Sequence, residues 1–203
     1  MISLINCDFG QEDELMENKE LVHEYLGITI DYLIPRKVLF IMFDYLEDVI
    51  VEASKDLKNS CSYYPGNDSL MKVDEDSPRL PTKDADLFHR HVARLLFASK
   101  RARPDIQVCV AILYTRVKAL TEQDYKNLDK VISYLKETVH LPLVVSANDS
   151  GRLTWNIDAS FAVYPDCKSH TGACLTLGHG SILSMPCPGT QPHGIDSRMT
   201  PAT

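Results

Sequence analysis

Lys100, Arg101 and Arg103 place three cations within four residues, directly before a predicted helix start at Pro104. Cationic side chains clustered in this way can neutralise the phosphates of a nucleic-acid backbone, which is the main electrostatic source of affinity in such complexes. A solvent-exposed basic loop without a ligand is the alternative interpretation of the same residues. The sequence leaves both interpretations open.

Cysteine and histidine residues near the C-terminus raise the question of a zinc site, and they are Cys167, His170, Cys174 and His179. Their spacing matches no standard zinc motif. A predicted strand also interrupts the group, and alternate side chains of a strand point to opposite faces. We therefore expect no zinc site. The chain also contains no dinucleotide-binding, P-loop, esterase or zincin motif.

Charge is distributed unevenly along the 203 residues, although 44% hydrophobic content is typical of one large folded domain or two small ones. Residues 1–86 hold 19 acidic and 8 basic residues, a net charge of −11, whereas residues 87–203 hold 9 and 13, a net charge of +4. The second half can accept a polyanion. The whole chain, at −7, is a poor independent nucleic-acid binder.

Six cysteines without a CxxC pair predict reduced thiols and an intracellular protein, in the cytoplasm or the nucleus. The longest apolar run, Val38 to Phe43, is six residues and ends at Asp44. That length is far too short to span a bilayer, so we expect no membrane association.

The first half of the chain shows β-rich patterns and then a helical one. Apolar residues from Val22 to Phe43, interrupted at Pro35, predict two strands joined in a hairpin. Tyr45 and Val49 continue at helical spacing, which predicts a helix. Residues 58–82 contain three prolines and little periodicity, which is typical of a linker.

Three amphipathic patterns predict a small three-helix unit between residues 83 and 139. Their apolar faces are formed by Phe88, Val92, Leu95 and Ser99, by Ile106, Val110, Leu113 and Val117, and by Tyr125, Leu128, Ile132, Leu135 and Val139. Pro104 suits a first helical position, and Thr121 with Asp124 resembles a capping box with Asp in place of Glu.

Period-two patterns follow Pro142 and predict three successive strands in a β-meander. Trp155 to Phe161 alternates apolar and polar residues, as expected for a strand buried mainly on one face. Ala173 to Leu177 and Ser181 to Met185 supply the second and third strands. The proline-rich residues 186–203 predict a disordered tail.

The order of these segments resembles the C-terminal part of a copia-type retrotransposon Pol polyprotein, from the end of the reverse transcriptase into RNase H. The resemblance covers about residues 20 to 185. Five blocks occur in the family's order, and they are Tyr25-Leu26-Gly27-Ile28, Leu95-Leu96, Arg101-Ala102-Arg103-Pro104-Asp105-Ile106, Tyr134-Leu135-Lys136-Glu137-Thr138, and Asp158-Ala159-Ser160 with Lys168-Ser169-His170-Thr171-Gly172. Each block alone is weakly specific, whereas their common order is specific.

The resemblance implies a parent role in RNA-directed DNA synthesis and Mg²⁺-dependent cleavage of the RNA strand, with a primer-template or RNA/DNA hybrid as partner. It makes Asp158 the first RNase H carboxylate and metal ligand. A polar residue on an exposed strand face is the alternative interpretation of Asp158. By the same resemblance, the three cations lie near the primer-template.

Departures from the family pattern lead us to expect no catalysis by this chain alone. It contains no Asp-Asp pair for polymerase metals, and Pro186 to Thr203 contains no Glu where the family places the next RNase H carboxylate. Two-metal catalysis requires several convergent carboxylates. We therefore expect no bound Mg²⁺ and interpret the reading frame as a truncated or frame-shifted remnant, with a longer Pol copy as a further partner.

The predicted fold class is α+β: a β-hairpin and helix, then a three-helix unit, then a partial RNase H-like antiparallel β-meander. The predicted segments are an acidic lead-in (1–20), the end of the palm (21–57), a linker (58–82), thumb-like helices (83–139), a partial RNase H-like domain (140–185) and the tail (186–203). Two alternatives stay open: a weak nucleic-acid or protein interaction module built on the helices, and an unrelated intracellular α+β interaction protein.

Overall fold

The computed structural model describes residues 5–7, 10, 18–55, 57, 61–72, 74, 76–116, 120–160 and 170–188. The helices are α1 (Phe43–Ala53), α2 (Thr82–Ser99), α3 (Gln107–Thr115) and α4 (Glu122–Thr138), with short 3-10 helices at Asp68–Leu70 and Pro104–Ile106. The strands are β1 (Val22–Tyr25), β2 (Ile28–Asp31), β3 (Lys37–Ile41), β4 (Leu143–Ala147), β5 (Thr154–Ser160), β6 (His170–Thr176), β7 (Gly178–His179) and β8 (Leu183–Pro188). Helices and antiparallel sheets together confirm the predicted α+β class.

The predicted two-stranded hairpin contains three strands, β1, β2 and β3, that pair antiparallel in sequence. Leu26 and Gly27 form the extra turn, and both have positive φ angles, of 52° and 73°. A two-residue turn of this kind matches the twist of the strands that it joins, and glycine adopts the positive φ without strain. Apolar residues continue on both sides of this turn, so the sequence pattern alone does not reveal it.

Strand β4, in the predicted segment 140–185, pairs antiparallel with β3, in the predicted segment 21–57. Val38 lies opposite Val145 and Phe40 lies opposite Leu143. The short strand β7 adds to the other side of β4, so that the first sheet has the order β1-β2-β3-β4-β7. Distant parts of the chain thereby form one sheet.

The helices enclose the core, and the predicted apolar faces are confirmed wherever the structure describes them. In α2, the predicted apolar face is buried at Phe88, Val92, Leu95 and Ser99. The apolar faces predicted for α3 and α4 are also buried at their described positions, except at Tyr125, which is partly buried. Val117 lies outside the described residues. Helix α1 adds Leu46 and Val49 to the same core and packs against α2 and α4. Among the described residues, the three helices between residues 82 and 138 thus share one core with α1.

Both predicted helix starts have a local physical cause. The capping box of α4 is confirmed: the Thr121 hydroxyl accepts from the Asp124 backbone N–H at 3.4 Å, and the Asp124 carboxylate accepts from the Thr121 N–H at 3.0 Å. Pro104 begins a 3-10 turn that leads directly into α3. Its missing N–H costs no hydrogen bond at that position.

The second sheet is the predicted meander, with the order β5-β6-β8 and antiparallel pairing throughout. The expectation that β5 is buried on one face is wrong, because all seven of its residues are exposed. Period-two patterning shows which side chains share a face, but it does not show that anything packs against that face. Strand β8 continues to Pro188, and residues 189–203 of the predicted tail lie outside the described residues.

None of the helices in the described ranges combines the length and the apolar character that are needed to cross a membrane.

Candidate nucleic-acid interface

The predicted basic segment forms a tight turn after α2. The Ala98 carbonyl accepts hydrogen bonds from the N–H groups of Arg101, Ala102 and Arg103 at 3.0 to 3.1 Å. The turn distributes the cations differently: Lys100 is exposed, Arg101 is half-buried and Arg103 is 1% exposed. The three cations therefore do not form one surface patch.

Arg101 is held against the end of α2 by the ring of Phe97. The guanidinium carbon lies 3.7 Å from the ring centroid, and Nη1 donates a hydrogen bond to the Phe97 carbonyl at 3.3 Å. Stacking on an aromatic ring orients a guanidinium and weakens its contact with water. Because a guanidinium carries five N–H donors, this one hydrogen bond leaves donors for an anion.

Lys100 and Arg101 border a cavity of about 350 Å³, which we name the basic groove. One side of the first sheet forms its floor, because the lining residues of β3 and β4 alternate along each strand. The loop between β7 and β8 closes another side. Besides the two cations, the lining residues are Ile28, Tyr32, Val38, Phe40, Leu143, Val145, Ser181 and Ile182.

The basic groove combines positive charge with aromatic and aliphatic surface. Lys100 and Arg101 are the charged residues in its lining, and none of the lining residues is acidic. Tyr32 is 44% exposed and contacts His23 edge to face, with ring centroids 6.0 Å apart. Cations beside an accessible aromatic ring are the combination that holds single-stranded nucleic acids, through phosphates and stacked bases.

Arg103 is not part of this groove, because its guanidinium is engaged inside the protein. It donates from Nε and Nη2 to the carboxylate of Asp105 at 2.7 to 3.2 Å, and from Nη1 and Nη2 to the backbone and side chain of Thr138 at 2.9 and 2.7 Å. Its place in the predicted phosphate-binding set is therefore corrected: burial and four partner atoms keep it away from a phosphate.

Tyr134 completes this cluster by donating its hydroxyl to Asp105 at 2.9 Å. Desolvation raises the pKa of Asp105, but hydrogen bonds and charge from Arg103 outweigh it, so that this pKa lies below its usual value of 3.8. Desolvation and the neighbouring carboxylate raise the pKa of Tyr134. Asp105 is thus held as an anion and Tyr134 as a neutral donor at neutral pH.

Asp158, the carboxylate implied by the resemblance, lies elsewhere, on the exposed strand β5. It borders a second cavity of about 340 Å³ between the second sheet and α3, and it is the one acidic residue in that lining. Its Oδ1 accepts the backbone N–H of Ala159 at 2.9 Å. A two-metal site requires several convergent carboxylates, so the residues around Asp158 do not fit one.

Within the described ranges, no group of three or more His, Cys, Asp or Glu residues is placed to hold a metal ion. Of the zinc candidates, Cys174 donates its thiol to Ser181 Oγ at 3.3 Å, and His179 is exposed in β7. Cys167 lies outside the described residues.

Sequence reasoning found Lys100 and Arg101 but missed their neighbours in the basic groove. Tyr32 lies almost 70 positions before Lys100, and Ser181 lies about 80 positions after it. No local pattern connects such residues, because the packing of the turn after α2 against the first sheet brings them together. A separate hydrogen bond connects α3 to the second sheet, in which Gln107 Nε2 donates to the Ser184 carbonyl of β8 at 2.9 Å.

Comparison with known proteins adds no relative: no family model, no curated protein and no solved structure matches this chain.

Proposed function

We propose that this chain corresponds to the part of a copia-type Pol polyprotein that connects reverse transcriptase to RNase H, and that its own activity is to bind a nucleic-acid strand without cleaving it. The parent family synthesises DNA on RNA and cleaves the RNA strand. The binding site is the basic groove, with Lys100 and Arg101 on phosphates and Tyr32 against a base.

One observation carries this proposal: the two cations that reach the surface border an apolar cavity with an accessible tyrosine and without an acidic residue in its lining. The net charge of −7 repels a polyanion as a whole, so a local field free of carboxylates is needed for binding. Stacking on an aromatic ring adds attraction that does not depend on base sequence. The groove offers both.

The cluster around Arg103 supports the proposed family in a second way. Arg103 and Asp105 belong to one block of the resemblance, and Tyr134 and Thr138 belong to another. The four residues contact one another directly. These contacts give a physical reason for the two blocks to occur together, because both stabilise the junction between the turn after α2 and the end of α4.

Fluorescence anisotropy with a labelled single-stranded RNA and the full chain tests the binding site. We expect weak binding whose affinity falls with salt. Replacing Lys100 and Arg101 together by Ala removes two phosphate contacts, which should lower the slope of log affinity against log salt by about 1.4. Tyr32→Ala should weaken binding with little change in that slope, because stacking releases no counterions.

The matched control is the double variant Lys55→Ala with Lys83→Ala. Both lysines are exposed, and Lys83 lies in the first turn of α2, about 26 Å along the helix axis from Lys100. This control removes the same net charge, so it should leave the slope almost unchanged. Equal losses in both double variants would mean that overall charge, and not the basic groove, governs binding. No binding at low salt would reject the proposal.

A further inference from the structure

Strand β5 forms an edge of the second sheet, since the strand order is β5-β6-β8. All seven residues from Thr154 to Ser160 are exposed, including Trp155 at 47% and Ile157 at 68%. Among the described residues, no strand pairs with its outer side. An edge strand offers unpaired backbone N–H and C=O groups, and these are a template for another strand.

β5 also lacks most features that protect natural edge strands from pairing. Such strands are usually short, twisted by a bulge, or interrupted by lysine or proline. β5 is seven residues long, pairs with β6 in an unbroken register from Thr154 to Ser160, and contains neither lysine nor proline. Its single charged residue is Asp158.

We propose that β5 is a dimer interface, at which a second copy of this chain pairs antiparallel with it and extends the three strands into a six-stranded sheet. The two-fold axis passes beside Ile157, which lies opposite the partner's Ile157. This inference goes beyond the proposed function and is independent of it, because no residue of β5 lines the basic groove.

The sequence of β5 is complementary to itself in this register. Trp155 lies opposite the partner's Ala159, so that a large side chain meets a small one on the face they share. Asn156 lies opposite the partner's Asp158, where an amide can donate to a carboxylate. Cross-strand pairs of this kind stabilise antiparallel sheets.

Other registers are less favourable for simple reasons. A two-fold axis beside Asp158 would place two carboxylates directly opposite each other, and like charges in that position destabilise a pair. Registers centred on other residues leave part of each seven-residue strand unpaired. The register centred on Ile157 pairs all seven residues and separates the two charges.

Sedimentation equilibrium of the full chain, with reductant to keep the six cysteines from cross-linking, tests this proposal. Across micromolar concentrations we expect a species of twice the 22.9 kDa chain mass. Ile157→Lys and Ile157→Glu should each be monomeric, because like charges then meet at the axis. An equimolar mixture of the two variants should recover the dimer, since lysine then faces glutamate.

Val22→Lys is the matched control, because Val22 lies on β1, an edge strand of the first sheet, and is 38% exposed. This variant should dimerise like the wild-type chain. Thermal unfolding followed by circular dichroism checks that each variant is folded, and recovery of the dimer in the mixture demonstrates it independently.

Three results would overturn the proposal. A wild-type chain that stays monomeric throughout would mean that β5 is left open or is covered by residues 161–169 or 189–203 of the same chain. Assemblies larger than a dimer would exclude the two-fold pairing. Unchanged dimerisation of both Ile157 variants would place the interface elsewhere.

Discussion

Arg103 binds both oxygens of Thr138, with Nη1 on the backbone carbonyl at 2.9 Å and Nη2 on Oγ1 at 2.7 Å. Thr138 is the last residue of α4, so this guanidinium caps a helix C-terminus from 35 residues away in sequence. A cation is favourable there because the final carbonyls of a helix carry partial negative charge. The contact fixes the turn after α2 to the end of α4.

Arg103→Ala should lower the free energy of unfolding by about 2 kcal/mol, because it removes a buried side chain that donates both to the Asp105 carboxylate and to Thr138, and leaves the end of α4 without its cap. Urea unfolding followed by tryptophan fluorescence or circular dichroism measures the change. Arg101→Ala, two positions earlier, is the control and should cost far less, since Arg101 is only half-buried. If the free energy of unfolding falls as little in Arg103→Ala as in Arg101→Ala, the cluster adds little stability.

The stability that Asp105 contributes at neutral pH should be lost in acid. Its pKa is held below 3.8 in the folded chain, so its contribution is fully present above that pH and is lost as the pH falls through the lower, folded pKa. Asp105→Asn should therefore flatten the fall in urea midpoint between neutral pH and about pH 3. Asp149→Asn is the control, because 91% of that side chain is exposed. An unchanged profile in Asp105→Asn would contradict the prediction.

Thr121→Ala should destabilise the chain by about 1 kcal/mol, because the N–H of Asp124 loses its acceptor at the start of α4. Thr121→Ser keeps the hydroxyl and should retain most of the stability. Comparing the urea midpoints of both variants separates the capping hydrogen bond from loss of the methyl group. If serine is as damaging as alanine, the cap is not the cause.

Cys109 should resist alkylation in the folded chain. It is 7% exposed, and desolvation raises its pKa to about 11, so roughly one molecule in a thousand carries the reactive thiolate at pH 8. Iodoacetamide labelling followed by peptide mass spectrometry should modify the exposed Cys7 first. In urea both cysteines should react similarly. Rapid labelling of Cys109 without denaturant would mean that the core opens readily.

The chain alone should not cleave an RNA/DNA hybrid in the presence of Mg²⁺, because Asp158 is the single carboxylate in the lining of its cavity. A labelled hybrid analysed by gel electrophoresis measures this directly. Cleavage by the wild-type chain that disappears in Asp158→Asn would contradict the prediction and would require further ligands. Cleavage that Asp158→Asn retains would indicate a contaminating nuclease.

Local patterns predicted the local structure of this chain well. Helical periodicity identified the buried faces of α2 and α4, and the spacing of Thr121 and Asp124 predicted the capping box. These features depend on residues within one or two helical turns of each other, so their cause is contained in a short stretch of sequence.

The sequence by itself determined the α+β class and the amphipathic faces of the helices, and it grouped the three cations Lys100, Arg101 and Arg103 without distinguishing their exposure. Only the tertiary structure decided that Arg103 is buried against Thr138, that β4 completes the first sheet beside β3, and that β5 remains exposed. The physical reason is distance along the chain. Burial depends on which segment packs against a face, and periodicity within one segment carries no information about that choice.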